Sequence, residues 1–299
     1  MRVAVIGAQG QLGSDVVKVL RQAGSYEVLP FDHSQLDCAE QVSVRRALFE
    51  AQPEAVVNTA AFVRVDDAED RPEETFRTNA IGALHVASVC AEIGSLCVYI
   101  STDYVFNGEK NGPYTEEDVP CPVNVYGESK LAGEYLVRRS SLRWLIVRVA
   151  GLFGSAGAHA KGGNFVETIL ARAEREKKLR VVDDVRTSPT YTSDAAEVIE
   201  RLIGEKATGI FHVANEGSCT WHEFARKILE LAAIDVEVER ISSTDSPAKA
   251  RRPANSALTS VRLSPPLRPW RDALKAYLDE RGQTARGSAL SRDCKQALT

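Results

Sequence analysis

No stretch of the 299-residue chain approaches the roughly 18 consecutive apolar residues that a membrane-spanning helix requires, so a helical membrane protein is excluded. Positive charge is not in excess either. The net charge of -4 provides no electrostatic footprint for a nucleic acid. The six cysteines (Cys38, Cys90, Cys97, Cys121, Cys219, Cys294) include no C-x-x-C pair, and no histidine cluster stands at metal-ligand spacing. A disulfide framework and a zinc site are thereby disfavoured, and reduced packing thiols are expected. A G-x-S-x-G elbow is missing, and the five histidines (His33, His85, His159, His212, His222) have no evident nucleophile beside them, which argues against a hydrolase. His212 lies in an apolar strand and reads as a hydrogen-bonded core residue. The opening MRVAVIGAQG lacks the basic and long apolar regions of a secretory signal, so the expected location is the cytoplasm.

What is present is a rhythm. Short apolar runs (RVAVIG, YEVLPF, AVVNTAA, LCVYIST, WLIVRVAGLF) alternate with longer amphipathic ones such as QLGSDVVKVLRQAG and YGESKLAGEYLVRR. Strands too apolar to alternate, separated by helices, are what a parallel sheet covered on both faces requires. The expected fold class is α/β, a doubly wound parallel Rossmann sheet with a smaller C-terminal lobe. Beyond residue 151 the rhythm loosens through SAGAHAKGGNF, the strands LRVVDD and GIFHVAN, and TWHEFARKILELA, where Thr220 and Glu223 spell a capping box. Trp221 and Phe224 in that helix read as core. The domain reading is therefore 1–150 for the nucleotide-binding unit, with later strands around 178–215 returning to it, 151–282 for a mainly substrate-binding lobe, and a flexible tail over 283–299.

Gly7, Gly10 and Gly13 form G-x-x-G-x-x-G between the first strand and the first helix, where backbone N–H groups approach a pyrophosphate at the helix's positive end. Asp32 follows at the end of the second strand, placed to accept hydrogen bonds from the ribose hydroxyls of an adenosine. That favours NADH over NADPH, because the next residues are His33 and Ser34 rather than an arginine, although a protonated His33 leaves NADPH open. Asp37 with Leu36 either borders the adenine or sits in an exposed turn.

Tyr126 and Lys130 in NVYGESK are one helical turn apart, on the same face. A phenol of pKa near 10 is a reluctant acid at neutral pH. An ammonium at about 4 Å and an effective dielectric near 20 would stabilise the phenolate by roughly 4 kcal/mol. The expectation is a Tyr126 pKa lowered to near 7, with Gly127 keeping the helix slim for a ligand. LCVYIST ends in Ser101 and Thr102 at a strand C-terminus, where ligands sit in open α/β sheets, so Thr102 is placed to polarise a substrate carbonyl beside Tyr126.

Together G-x-x-G-x-x-G, STDYVF at 101–106 and YGESK at 126–130 resemble an extended short-chain dehydrogenase/reductase. NVYGESKLAGE, VVDDVRTSPT at 181–190 and ARRPANSAL at 250–258 narrow the resemblance to the dTDP-4-dehydrorhamnose reductase family, from residue 1 to about 280. The resemblance implies Thr102, Tyr126 and Lys130 as the catalytic set, with Tyr126 as proton donor. It places Gly7, Gln9, Gly10, Gln11, Leu12, Gly13, Asp32, Asn58, Ala60, Ala61 and Lys130 at the cofactor site, with Asn79 supporting the lysine from behind. Asp103, Asn164, Pro189 and Arg252 would face a dTDP-sugar, Arg252 pairing with its diphosphate. Asp15 stands where some members use a glutamate to hold Mg²⁺ at a dimer contact, so a metal and a homodimer are arrangements the resemblance allows. Gly151 stands near a tryptophan of well-known members, which loosens the identity of the sugar. The implied activity is reduction of the C4 ketone of dTDP-6-deoxy-L-lyxo-4-hexulose to dTDP-L-rhamnose with NADH or NADPH. A reductase or epimerase of another nucleotide sugar remains an alternative, the R-R-P-x-N-S-x-L element speaking against epimerase. So does a non-catalytic dinucleotide-binding regulator similar to the β subunit of methionine adenosyltransferase. The roles of Arg64 and Lys161 stay open.

Overall fold

Alternate residues of the first strand go to opposite faces of a sheet that is covered on both sides, which is why RVAVI shows no polar alternation. Val3 and Val5 join one core with Leu12, Val16, Leu20 and Ile199, while Ala4 and Ile6 join another with Leu36, Val44, Val86 and Tyr99. The computed structural model describes residues 1–156, 163–245 and 248–282. The predicted tail over 283–299, with Cys294, lies outside these residues, as do His159 and Lys161.

Six parallel strands build the main sheet: β1 (Arg2–Ile6), β2 (Glu27–Phe31), β3 (Ala55–Asn58), β4 (Leu96–Thr102), β5 (Trp144–Val149) and β6 (Gly209–His212). Their order is β6-β5-β4-β3-β1-β2, so the winding reverses between β1 and β3. In open sheets wound this way a ligand belongs outside the strand C-termini at such a reversal. The α/β doubly wound sheet is thus as the patterning predicts.

Helix α1 (Gln11–Ala23) buries Leu12, Val16, Val17 and Leu20 against Ala195, Val198 and Ile199 of the later helix Thr192–Gly204. Helices α2 (Gln41–Ala51) and α3 (Gly82–Ile93) cover the opposite face with α4 (Val125–Ser140). Cys38, Cys90 and Cys97 are buried packing thiols in this second core. A third core, around Phe153, Ile169, Leu179, Phe224, Trp270 and Tyr277, belongs to the lobe. It joins α5 (Phe165–Ala173), the parallel ribbon of Lys178–Val182 with Glu237–Ile241, α7 (Trp221–Leu231) and a helix over 270–282. Between these pieces α6 (Thr192–Gly204) and β6 return to the main sheet. Both halves of the Thr220–Glu223 capping box are formed, and Phe224 is fully buried.

Candidate active site

The glycine turn is shaped by collisions that side chains would cause. Gly7 has φ +77, a left-handed conformation that glycine adopts without strain, and a Cβ at Gly13 would run into the Gly7 carbonyl. Thr59, at the end of β3, clamps the turn from below by donating its hydroxyl to the carbonyls of Ile6 (2.8 Å) and Gly7 (3.2 Å). Helix α1 then opens with no side-chain cap and no acidic residue in its first turn, and the buried amide nitrogen of Gln11 has no partner. Orphan N–H groups at a positive helix end fit an anion such as a pyrophosphate. Gly13→Ala is an overpacking change of the kind that costs about 1–3 kcal/mol. It is expected to weaken dinucleotide binding by roughly tenfold or more, read by fluorescence titration. Unchanged affinity would dissociate the turn from the cofactor.

Asp32 lies just beyond β2 with its carboxylate already engaged. It accepts from Ser34 N (2.9 Å), Ser34 Oγ (2.6 Å), Gln35 N (3.1 Å) and Gln9 Nε2 (3.1 Å). These bonds, Ser34's first, hold its pKa below the ordinary carboxylate value. His33 is exposed, and Asp37 caps its own turn by accepting from Ala39 N (2.9 Å). Leu36 is buried in the second core, while Asp37 is half-buried at the turn. Asn58 at the end of β3 accepts from Ala60 N (3.2 Å), shaping the loop that carries Ala60 and Ala61. Asn79 sits in a π-helical turn, Arg77–Ile81, a local form frequent at functional sites. Its amide bonds both backbone groups of Phe62 and donates to Ser129 Oγ (2.9 Å), the neighbour of Lys130. It ties the loop after β3 to α4 and has no donor left for a ligand.

Thr102 ends β4 and donates to Asp103 Oδ1 (2.9 Å). Thr102 stands beside Tyr126 and lowers its pKa, and the Tyr126 ring meets that of Tyr104 edge-on at 6.0 Å. Lys130 is 2% exposed, with Nζ 4.2 Å from the centroid of Tyr99. The expected effect of this lysine on the phenol is not what the structure has. Burial pushes Tyr126 up to about 12, with the Thr102 bond lowering it and Asp103 raising it. The Lys130 ammonium lies over the Tyr99 ring, and no charge contribution from it reaches the phenol. Burial also brings Lys130 down to about 7, against the opposing pull of Glu134 and Cys38. Gly127 has a different reason as well: its Cβ would strike the Tyr104 carbonyl, so it lets α4 close onto the protein's own backbone.

The residues expected to face a sugar nucleotide divide. Asp103 is buried beside Thr102, and Pro189 lies against Gly151, itself at φ +49. Arg252, expected at a diphosphate, grips Asp66 with its fork (Nη2 to Oδ2 2.8 Å) and donates to Ala250 O (2.8 Å). Asp66 answers with a pKa of about 2, lowered first by that arginine. The R-R-P-x-N-S-x-L stretch is a brace, Asn255 donating to Lys110 O (2.9 Å) and Gly112 O (2.7 Å) and Asn124 to Arg251 O (2.8 Å). Asn164, expected to face the sugar nucleotide, has a structural task. It caps α5 by accepting from Glu167 N (3.0 Å) and donates to Gly154 O (3.0 Å), deep in the lobe. Asp15 is not on a surface where two copies could share a metal: it is buried and accepts from Thr192 Oγ1 on α6, with its pKa raised by burial. No group of three or more His, Cys, Asp or Glu gathers at metal-binding spacing among the described residues. Arg64 forms a surface pair with Asp67 at 2.9 Å.

Sequence reasoning missed Thr59, Tyr99 and Ser129, which no local pattern marks. It also missed Glu134 and Arg148, which do leave a trace: Y-x-x-x-K continues to a glutamate four residues on, and an arginine interrupts the apolar strand WLIVRV.

A family model described as the RmlD substrate binding domain matches residues 1–282. The spore coat polysaccharide biosynthesis protein SpsK of Bacillus subtilis (strain 168) is 41% identical over 94% of this chain and 98% of its own length. A dTDP-4-dehydrorhamnose reductase of Aggregatibacter actinomycetemcomitans is 35% identical over 92% of this chain and 97% of its own. A crystal structure of dTDP-4-dehydrorhamnose reductase from Bacillus anthracis (strain Ames) in complex with NADP superposes with a TM-score of 0.89 at 36% identity, covering 93% of this chain and 99% of that one. A UDP-glucose 4-epimerase of Thermus thermophilus, 23% identical with a TM-score of 0.79, shares the fold.

Proposed function

Since the chain belongs to the dTDP-4-dehydrorhamnose reductase family, we propose that it reduces the C4 ketone of dTDP-6-deoxy-L-lyxo-4-hexulose to dTDP-L-rhamnose with a reduced nicotinamide dinucleotide. The observation that carries this reading is the Thr102–Tyr126 hydroxyl pair at the C-terminal end of β4, beside a buried lysine. When bound, a reduced dinucleotide would supply hydride to the ketone carbon, leaving an alkoxide on the sugar. Tyr126 then donates its proton to that oxygen. With a pKa near 12 the phenol is fully protonated at neutral pH, yet a sugar alkoxide is more basic still, so the transfer runs downhill. The Thr102 hydroxyl beside Tyr126, turning its proton from Asp103, steadies the same oxygen as charge develops. Lys130 has no hydrogen bond or ion pair among the described residues, and its ammonium is available to the ribose hydroxyls of a bound dinucleotide.

The ionised Asp32, followed by His33-Ser34-Gln35 and no arginine or lysine, favours NADH, because a 2′-phosphate would place like charge beside it. A second reading, reduction of another nucleotide sugar, is favoured by Gly151, which presents no side chain next to Pro189, and by the likeness to SpsK.

The test is loss of reduced-dinucleotide absorbance with purified protein, dTDP-4-keto-6-deoxyglucose and its 3,5-epimerase, with NADH and NADPH in parallel. Turnover with the higher kcat/KM for NADH is expected. Turnover only with a different ketosugar would select the second reading, and none with any ketosugar would remove the reductase.

A further inference from the structure

Helix α4 carries Tyr126 in its first turn, so the place of the phenol depends on how that turn is held. Helices α5 and α7 begin on a cap supplied by the residue before them, Asn164 and Thr220. Helix α4 has such a cap too, Asn124 accepting from Gly127 N (2.8 Å). It has a second one brought from elsewhere: Glu69 Oε1 accepts from Val125 N (3.0 Å) across 56 residues of chain. A carboxylate at the positive end of a helix makes a charge-assisted bond, stronger than a neutral one. A helix of 16 residues packed against α3 and β4 does not need that bond in order to form, so its presence calls for another reason.

The surroundings supply one. Glu69 lies in the short helix Val65–Asp70, whose other arm is Asp66. Asp66 accepts from Lys249 N (2.9 Å), Ala250 N (2.9 Å) and the fork of Arg252. Between these donors stands Arg251, whose carbonyl accepts from Asn124 Nδ2 (2.8 Å). The bonds therefore close a ring: Glu69 to Val125, Asn124 to Arg251, Arg252 to Asp66, and the short helix back to Glu69. Asn124 and Val125, which the ring holds, directly precede Tyr126. On its other side the turn is backed by Tyr104, whose carbonyl a Cβ at Gly127 would strike and whose ring meets that of Tyr126 edge-on.

We propose that Glu69 is a positioning residue for the reaction: by holding Val125 N it fixes the first turn of α4, and with it the direction from which the Tyr126 hydroxyl meets the substrate oxygen beside Thr102. The proposal rests on the reductase reading, in which Tyr126 gives the proton. Glu69 acts through Tyr126 alone, so its removal costs rate only while the phenol is there to be misplaced. A displacement of about 1 Å at a reacting group is enough for a loss on the order of 10²-fold.

The measurement is single-turnover reduction of the ketosugar that the wild type accepts, at saturating NADH. Glu69→Ala is expected to be roughly 10–100-fold slower, with the NADH dissociation constant unchanged. Glu69→Gln keeps an acceptor oxygen for Val125 N and should retain most of the wild-type rate. The decisive comparison is made in Tyr126→Phe, where adding Glu69→Ala should cost nothing further, because the hydroxyl it would misplace is already gone. Loss by the same factor in both backgrounds would show a general distortion and overturn the proposal, as would a Glu69→Ala variant with the wild-type rate or a Glu69→Gln variant as slow as the alanine one. Failure of Glu69→Ala to fold, read by circular dichroism, would assign the bond to folding and overturn it equally. Absence of reduction of any nucleotide ketosugar by the wild type would instead sink the reductase reading from which the proposal starts.

Discussion

Tyr126→Phe is expected to lower turnover by about 10²–10⁴-fold while leaving NADH affinity nearly intact. The change removes one hydroxyl and keeps the ring, so the edge-on contact with Tyr104 and the packing of α4 survive. What is lost is the proton that burial has retained on the phenol to about pH 12. The pH dependence carries a further consequence. A phenol tuned to near 7 would yield a rate that falls above neutrality because the donor itself is lost. A donor at about 12 stays protonated across the working range, and any alkaline fall must come from another group. Lys130, at about 7, is that group. Single-turnover reduction by wild type and variant between pH 6 and 9 checks both points, and ordinary rates from Tyr126→Phe would take the donor role away from this residue.

Lys130→Met is expected to make the protein more stable and less able to bind its cofactor. The sign follows from the protons. Below about pH 7 the native state carries a desolvated ammonium that the unfolded chain holds in water. Between about 7 and 10.5 the unfolded lysine keeps a proton that the native one has released, so unfolding free energy rises with pH in that window. The penalty is therefore fully present below 7 and relieved by 10.5, and a depression of that size corresponds to on the order of 4–5 kcal/mol. Methionine fills a similar volume without charge. Urea unfolding should show a gain of a few kcal/mol at pH 6 that fades toward pH 10. NADH titration should show weakened binding over the same range. A stability difference that ignores pH would mean that Lys130 is not desolvated as described. Such a trade is expected at a functional site, where a strained or buried charge is kept for what it binds.

Other parts of the molecule show why some of this was legible beforehand. Gly7, Gly10 and Gly13 were readable because the turn needs them within seven residues of one another, and a Cβ at Gly10 or Gly13 would meet the Gly7 carbonyl. The strands were readable because coverage of both faces leaves an apolar run in each segment. Arg252 and Asp15 were not. Arg252 meets Asp66 across 186 residues of chain and Asp15 meets Thr192 across 177, and no local pattern announces partners so far apart. Asn164 in GGNF looked like a ligand-facing asparagine, yet the same residue type is a preferred helix cap, and the following α5 claims it.

Sequence alone determined the α/β class, the order of strand, glycine turn and helix, and the helical spacing of Tyr126 and Lys130, since each depends on residues within a turn or a strand of one another. Only the tertiary structure decided where protons reside. The phenol's high pKa and the lysine's low one arise from what β4, β5 and the segment around Cys38 bring against α4, and water can be excluded from a side chain only by neighbours that the fold supplies.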